Sequence, residues 1–231
     1  MIDIHTHILP GVDDGCKDYA SAKQMVINEI WQGVTEIVLT PHFRYNYNKP
    51  YNELVEKFNE FKQELNNDGV EIKLHLGQEI FVDKDYKKIL ASDSVNGIDR
   101  SKIILIEFDY NKEIDYADVV FEIKHMGFTP IVAHVERYEH FTLEDAFEIK
   151  DIGGYIQINS SSLMKKRDKK EHKFVRKLLN EGLVDFVASD KHFDRENCLL
   201  SAYEFVVKHY DEEYADAIFK LNQQALLESI K

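Results

Sequence analysis

Apolar positions along this chain follow two alternating rhythms. Short β-branched runs at 2–4, 36–39, 71–76, 102–108, 129–133, 155–158 and 185–188 read as seven strands. Between them apolar residues recur at helical spacing, as in Leu54, Val55, Phe58, Phe61 and Leu65, or Val119, Val120, Ile123 and Met126, so the connections are predicted to be crossover helices. Gly33, Gly69, Gly127, Gly153 and Gly182 each fall near the end of a helical stretch and just before a strand, where a left-handed residue closes a helix. Nearly all-apolar strands such as Ile-Ile-Leu-Ile and Pro-Ile-Val-Ala imply a parallel α/β sheet buried on both faces. Seven such units suffice to close a barrel, although the pattern alone also admits an open doubly wound sheet. No linker, low-complexity tract or nucleotide-binding glycine fingerprint divides the chain, so residues 1–231 are expected to form a single domain whose last segment, from about Cys198, is two or three closing helices.

Composition narrows the class. With 231 residues, 44% of them hydrophobic, the chain can bury one sizeable core. The formal charge of −13, from 42 acidic and 29 basic side chains, opposes a polyanionic duplex, so nucleic acid is not an expected partner. Neither a basic-then-apolar leader nor a run of about 18 apolar residues is present, which leads to the expectation of a cytoplasmic protein without a membrane span. Cys16 and Cys198 lack the number and spacing of a disulfide framework or zinc motif and read as reduced thiols.

The chemistry gathers at predicted strand ends. His5 and His7 stand at i and i+2 in extended chain, so both imidazoles point the same way. His42 follows the second predicted strand, Glu79 the third, Glu107 ends the fourth, His134 ends the fifth, and Asp190 and His192 follow the seventh. In a parallel barrel those ends converge on one face, where carboxylates are costly unless paired with cations. Asp14, in the first loop, completes a set of nine nitrogen and carboxylate donors. Without thiolate, such a set suits manganese, iron or zinc, and shared carboxylates would let it hold two or three divalent ions. Clusters of this kind activate water and clamp the attacking and leaving oxygens of a displacement at phosphorus.

The segments Ile-Asp-Ile-His-Thr-His (2–7), Val-Asp-Asp-Gly (12–15), Thr-Pro-His (40–42), Gly-Gln-Glu-Ile (77–80), His-Val-Glu-Arg-Tyr (134–138) and Ala-Ser-Asp-Lys-His (188–192) resemble the polymerase and histidinol phosphatase (PHP) superfamily. Within it they are most similar to the CpsB-type manganese-dependent protein-tyrosine phosphatases of bacterial capsule and exopolysaccharide loci. The resemblance implies a distorted seven-stranded barrel holding three metals. His5, His7, Glu79 and Asp190 would bind the first, Glu79, Glu107 and His134 the second, and Asp14, His42 and His192 the third, while Arg137 would grip the phosphoryl group. It also implies a phosphotyrosine-bearing partner, a cognate bacterial tyrosine kinase. Two features depart from the family pattern: Val135 replaces the usual proline, which should loosen that turn, and Lys165, Lys166, Arg167, Lys169 and Lys170 form a basic run in a loop usually richer in glycine. That run reads as a solvated helix start or as a dock for an acidic phosphopeptide.

Other residues bear on the chemistry. The loop Phe43-Arg44-Tyr45-Asn46-Tyr47 could flank a phosphotyrosine ring, with Arg44 assisting at the phosphate, or could pack on the rim. Cys16 lacks the phosphate-cradling Cys-x5-Arg loop, since residue 22 is alanine, which favours metal hydroxide over cysteine as the attacking group. His75, His125, His140, His172 and His209 read as structural or surface residues. Two rival functions share the donor set: a small-molecule phosphatase such as histidinol phosphatase, and a non-catalytic metal-stabilised binding module.

Overall fold

A computed structural model describes residues 1–44, 49–164 and 169–230. Among them, nine strand segments appear: β1 (Ile2–Thr6), β2 (Glu36–Leu39), β3 (His42–Phe43), β4 (Lys73–Leu76), β5 (Glu79–Phe81), β6 (Ile103–Glu107), β7 (Thr129–Val132), β8 (Tyr155–Asn159) and β9 (Phe186–Ala188). The helices are α1 (Tyr19–Trp31), α2 (Tyr51–Asn67), α3 (Tyr86–Leu90), α4 (Tyr116–His125), α5 (Leu143–Ile152), α6 (Lys169–Asn180), α7 (Leu199–His209), α8 (Glu212–Asp216) and α9 (Asn222–Glu228). Every strand pairing is parallel, in a three-stranded sheet β1-β2-β4 and a six-stranded sheet β3-β5-β6-β7-β8-β9.

Two predicted strands are therefore each followed by a short second segment. Beyond β2 the chain breaks at Thr40–Pro41, and beyond β4 at Gly77–Gln78. The breaks are matched: Gly77 N donates to Leu39 O at 2.8 Å and Glu79 N to Pro41 O at 3.1 Å, so both strands jog together. His42 and Glu79, expected just past the ends of the second and third predicted strands, begin these short second segments, β3 and β5, and pair in direct register.

Local sequence explains most helix boundaries. Asp18, Asp115 and Asp211 accept from backbone N–H groups at the starts of α1, α4 and α8, and Thr142 forms a reciprocal capping box with Asp145 at α5. All five glycines expected to close helices have positive φ, between 64° and 85°.

The strands bury side chains on both faces. Ile37, Leu39, Ile104, Ile106, Val132, Ile156 and Val187 pack against helix residues such as Val26, Val120 and Ile149. The opposite faces contribute Ile4, Val38, Leu105, Ile131 and Phe186 to a second cluster, drawn from both sheets and joined by Leu226 and Leu227 of α9. Between Asp3 and Thr6 the pairing of β1 with β2 shifts by one residue. This bulge changes the phase of the strand. Ile4 and His5 both face the inner side, whereas strict alternation would have sent His5 the other way.

Candidate metal centre

His5 and His7 meet at the end of β1 with their Nε2 atoms 3.2 Å apart. His5 Nδ1 faces Gln157 Oε1 at 3.0 Å, and that oxygen also accepts from His134 N, so His5 carries its proton on Nδ1. His7 Nδ1 likewise donates to Asp13 Oδ2 at 2.8 Å. In those tautomers two unprotonated Nε2 lone pairs point at one spot. That contact is unfavourable unless a proton or a metal cation lies between them, and outer partners of this kind are how proteins orient metal-binding histidines.

Carboxylates close around the same spot. Glu79 Oε2 lies 3.3 Å from His5 Nε2 and 3.2 Å from His7 Nε2, while Glu79 Oε1 lies 2.8 Å from His134 Nε2. Asp190 Oδ1 is 3.7 Å from His5 Nε2 and 3.5 Å from His7 Nε2. His42 Nδ1 is 2.9 Å from Glu79 Oε2 and 3.4 Å from Glu107 Oε1. Among the described residues, four overlapping triads have donor atoms within 4.8 Å of one another: His7, His42 and His192; His5, His7 and Asp190; His5, Glu79 and His134; and His42, Glu79 and Glu107. Asp14 stands at the edge, 75% exposed, 3.6 Å from His42 Nε2 and 3.9 Å from His192 Nε2.

The donors fit divalent cations better than they fit one another. His42 Nδ1, Glu79 Oε2 and His192 Nε2 are buried without a hydrogen-bond partner among the described residues, even though the first two lie 2.9 Å apart. Buried polar atoms left in that state are costly unless something else binds them. Burial opposes ionisation of Glu79, yet His5 and His42 hold its carboxyl well below the usual range. Burial also opposes charge on His42, but Glu79 and Glu107 prevail and lift it to about 11. His7 rises to about 9 because Asp13 and Glu79 outweigh burial and the repulsion of His42. His192 is pushed down to about 4, first by burial and then by His7. A field that retains protons so firmly is one that would also attract metal cations.

Backbone geometry serves the same point. His134 and Asp190 have φ of 31° and 50°, in the left-handed region that side chains seldom adopt. Gly15 passes so close to His7 that a Cβ there would lie 2.2 Å from His7 Cβ and from its carbonyl oxygen. The Val-Asp-Asp-Gly segment thus lays its backbone against His7, while Asp13 holds the imidazole and bonds Gly15 N at 3.0 Å.

Beside the imidazoles opens a cavity of about 280 Å³ lined by Arg137, Arg195, Asn159, Ser161, Ser162 and Asp190, among others. Asp190 divides its two oxygens: Oδ1 faces the histidines, while Oδ2 is held by Arg137 Nη1 at 3.2 Å, Arg195 Nη1 at 2.5 Å and Asn159 Nδ2 at 3.0 Å. The Arg137 guanidinium lies over the Tyr110 ring, 4.5 Å from its centroid, which fixes its plane.

Other expectations fall differently. Phe43 is buried in the core, while Arg44 is exposed with its guanidinium over the Phe81 ring at 3.8 Å. Tyr45, Asn46 and Tyr47 lie outside the described residues, as do Lys165, Lys166 and Arg167; Lys169 and Lys170 begin α6. The turn at Val135 is hydrogen-bonded and packed: Val135 is fully buried, and Arg137 N donates to His134 O at 3.0 Å. His75 is buried between Asp99 and Glu36, whereas His125 and His209 bond their own helix backbones. Sequence reasoning passed over Asp13, Gln157, Asn159 and Arg195. Gln157 and Asn159 did carry a signal, two polar residues at i and i+2 in a strand otherwise apolar; Arg195 carried none.

Together these features define a parallel α/β protein with a cluster of histidines and carboxylates at its strand ends that could hold metal cations, next to a cavity lined by two guanidinium groups. Residues 1–228 match the model of the CpsB/CapC family of capsular polysaccharide synthesis, and the chain belongs to that family. The tyrosine-protein phosphatase CpsB of Streptococcus agalactiae serotype III is 32% identical over 240 residues, covering 99% of both chains. The tyrosine-protein phosphatase YwqE of Bacillus subtilis is 33% identical over 199 residues, covering 83% of this chain and 77% of YwqE. A chain from the crystal structures of YwqE from B. subtilis and CpsB from Streptococcus pneumoniae, described as unique metal-dependent tyrosine phosphatases, matches with a TM-score of 0.85 and 28% identity over 93% of this chain and 90% of that one.

Proposed function

We propose that this protein is a metal-dependent protein-tyrosine phosphatase that removes phosphate from a cognate bacterial tyrosine kinase of capsule or exopolysaccharide synthesis. The observation that carries this reading is the convergence of five imidazoles and three buried carboxylates on one point, beside a cavity where Arg137 and Arg195 present guanidinium groups. The named activities of the CpsB and YwqE relatives support it.

The donor set is assigned to two or three divalent ions, manganese first, with iron or zinc as alternatives. His5, His7, Glu79 and Asp190 would hold one; Glu79, Glu107 and His134 a second; Asp14, His42 and His192 a third. When bound, such ions lower the pKa of water and neutralise charge on phosphoryl oxygens. Arg137 and Arg195, paired with Asp190 in the free protein, turn their donors to the phosphate monoester, and Asn159 keeps Asp190 oriented as they do. Phe193, 63% exposed one residue beyond His192, lines a neighbouring hollow that shares Arg195 and Glu196 with the phosphate cavity and is assigned to flank the tyrosyl ring. Phenolate, whose parent acid has a pKa of about 10, departs without a strong general acid.

We further assign residues 1–231 to one cytoplasmic domain in which the two sheets form a distorted seven-stranded barrel. Supporting that closure, Thr6 bridges to Lys191, His7 N donates to Lys191 O at 2.9 Å and Asp190 N donates to His5 O at 3.0 Å, joining the first strand line to the last. No described helix is long and apolar enough to cross a membrane.

The test is metal analysis together with hydrolysis of a phosphotyrosyl peptide by wild type and Arg137→Ala. Retained metal with at least a hundredfold loss of kcat/KM is expected, since charge-assisted phosphate contacts contribute roughly 3 kcal/mol at such sites. Preferential turnover of histidinol phosphate, or no hydrolysis of any aryl phosphate with manganese supplied, would refute the assignment.

A further inference from the structure

The phosphate cavity has a neighbour of opposite character to most of the surface. Against a formal charge of −13, Lys170, Lys173 and Lys177 line one side of a groove of about 210 Å³. They fall at i, i+3 and i+7 of α6, hence on one face of the helix. Phe141 and Phe174, edge to face with centroids 6.3 Å apart, supply its apolar lining.

Neither acidic group of the groove is ion-paired with Lys173 or Lys177 among the described residues. Glu139 is exposed at its edge, but Glu136 is 6% exposed and turned inward, accepting from Asn159 N at 2.8 Å.

The groove and the cavity share their walls. Arg137 lines the cavity while Glu136 and Tyr138, on either side of it, line the groove; Glu171 lines the cavity while Lys170 and Lys173 line the groove. One turn after β7 and the first turn of α6 therefore separate the two. A chain whose phosphotyrosine occupies the cavity would cross that divide within a few residues, since extended chain spans about 3.3 Å per residue.

We propose that this groove binds an acidic stretch of the phosphoprotein substrate flanking its phosphotyrosine. The proposal rests on the phosphatase reading. Lysine heads pair with Asp or Glu side chains, and the two phenylalanines receive the apolar parts of the same segment. Charge complementarity makes this a side of the phosphate cavity that favours an acidic chain on a protein whose formal net charge is −13.

The manganese-loaded protein is assayed on two phosphotyrosyl peptides that differ only in flanks, acidic or serine-glycine, and on p-nitrophenyl phosphate. Wild type should favour the acidic peptide by about tenfold in kcat/KM, through KM, with the preference eroding as salt is added. Lys173→Glu/Lys177→Glu should abolish that preference and leave p-nitrophenyl phosphate turnover unchanged, whereas Lys57→Glu/Lys62→Glu on α2 should preserve it. Equal wild-type rates on the two peptides, or a preference that survives Lys173→Glu/Lys177→Glu, would overturn the proposal. Anisotropy of a labelled, unphosphorylated acidic peptide reads the groove without turnover. Lysine-dependent binding of this peptide, with no measurable hydrolysis of either phosphotyrosyl peptide, would overturn only the phosphatase reading, and absent binding would overturn the groove. Sedimentation with phosphatidylserine vesicles that depends on Lys173 and Lys177 would replace the peptide with a membrane surface and also overturn it.

Discussion

Asp13 is not among the candidate ligands, yet the geometry predicts that it strongly determines metal affinity. Its carboxylate accepts three hydrogen bonds: His7 Nδ1 at 2.8 Å and His42 N at 3.0 Å on Oδ2, and Gly15 N at 3.0 Å on Oδ1. Asparagine offers one acceptor oxygen in place of two. With that oxygen at the Oδ2 position, the bonds to His7 and His42 survive but lose their charge assistance, and the new amide faces Gly15 N–H, donor against donor. The orphaned N–H costs about 1–3 kcal/mol of stability. The opposite orientation orphans two donors and would drive the His7 proton toward Nε2, the atom aimed at the ion. The first orientation therefore prevails. A weaker partner at Nδ1 makes Nε2 a poorer ligand, so Asp13→Asn should lower metal affinity about tenfold and Asp13→Ala by up to about a hundredfold, or roughly 1.4 to 2.7 kcal/mol. Manganese titration by calorimetry, with circular dichroism confirming the fold, measures this directly. Dissociation constants within twofold of wild type for both variants would refute the reasoning.

Three more outcomes follow from the same geometry. Gly15→Ala, whose Cβ would collide with His7, should lose bound metal and melt at lower temperature; a variant with wild-type metal content and melting point would contradict that contact. Phe193→Ala should raise KM for phosphotyrosine by about two- to tenfold, from a ring contact of about 0.5–1.5 kcal/mol, while leaving an alkyl phosphate unaffected; equal effects on both substrates would remove Phe193 from ring recognition. In the metal-free protein, His7 and His42 are raised to about 9 and about 11, above the ordinary value of 6.5. Their protonated forms thus stabilise the fold fully below 6.5, and this contribution is lost as pH climbs through about 9 and then about 11. Metal binding near neutral pH must then expel about two protons, visible as a dependence of calorimetric enthalpy on the buffer, and its absence would refute these protonation states.

Sequence alone determined the alternation of strands and helices, the glycine helix ends and the strand-end placement of His5, His7, His42, Glu79, Glu107, His134, Asp190 and His192. These are local properties: hydrophobic period, a residue with free φ, and a polar side chain beside an apolar run each leave a mark within a few positions. Tertiary structure decided the rest. The bulge in β1 depends on how that strand pairs with β2, and it turns His5 and His7 toward the same side as Ile4, which alternation would have opposed. The breaks after β2 and β4 exist because the two strands jog together, so neither is visible in its own segment. Asp13 and Asp14 are adjacent and chemically alike, but only packing separates the one that holds His7 from the one left 75% exposed at the edge. Gln157 reaches His5 across 152 residues. Arg195 acquires its place only when the segment after β9 folds back onto Asp190. Long-range contacts are fixed by the closure of the whole fold, and no short window of sequence contains both partners.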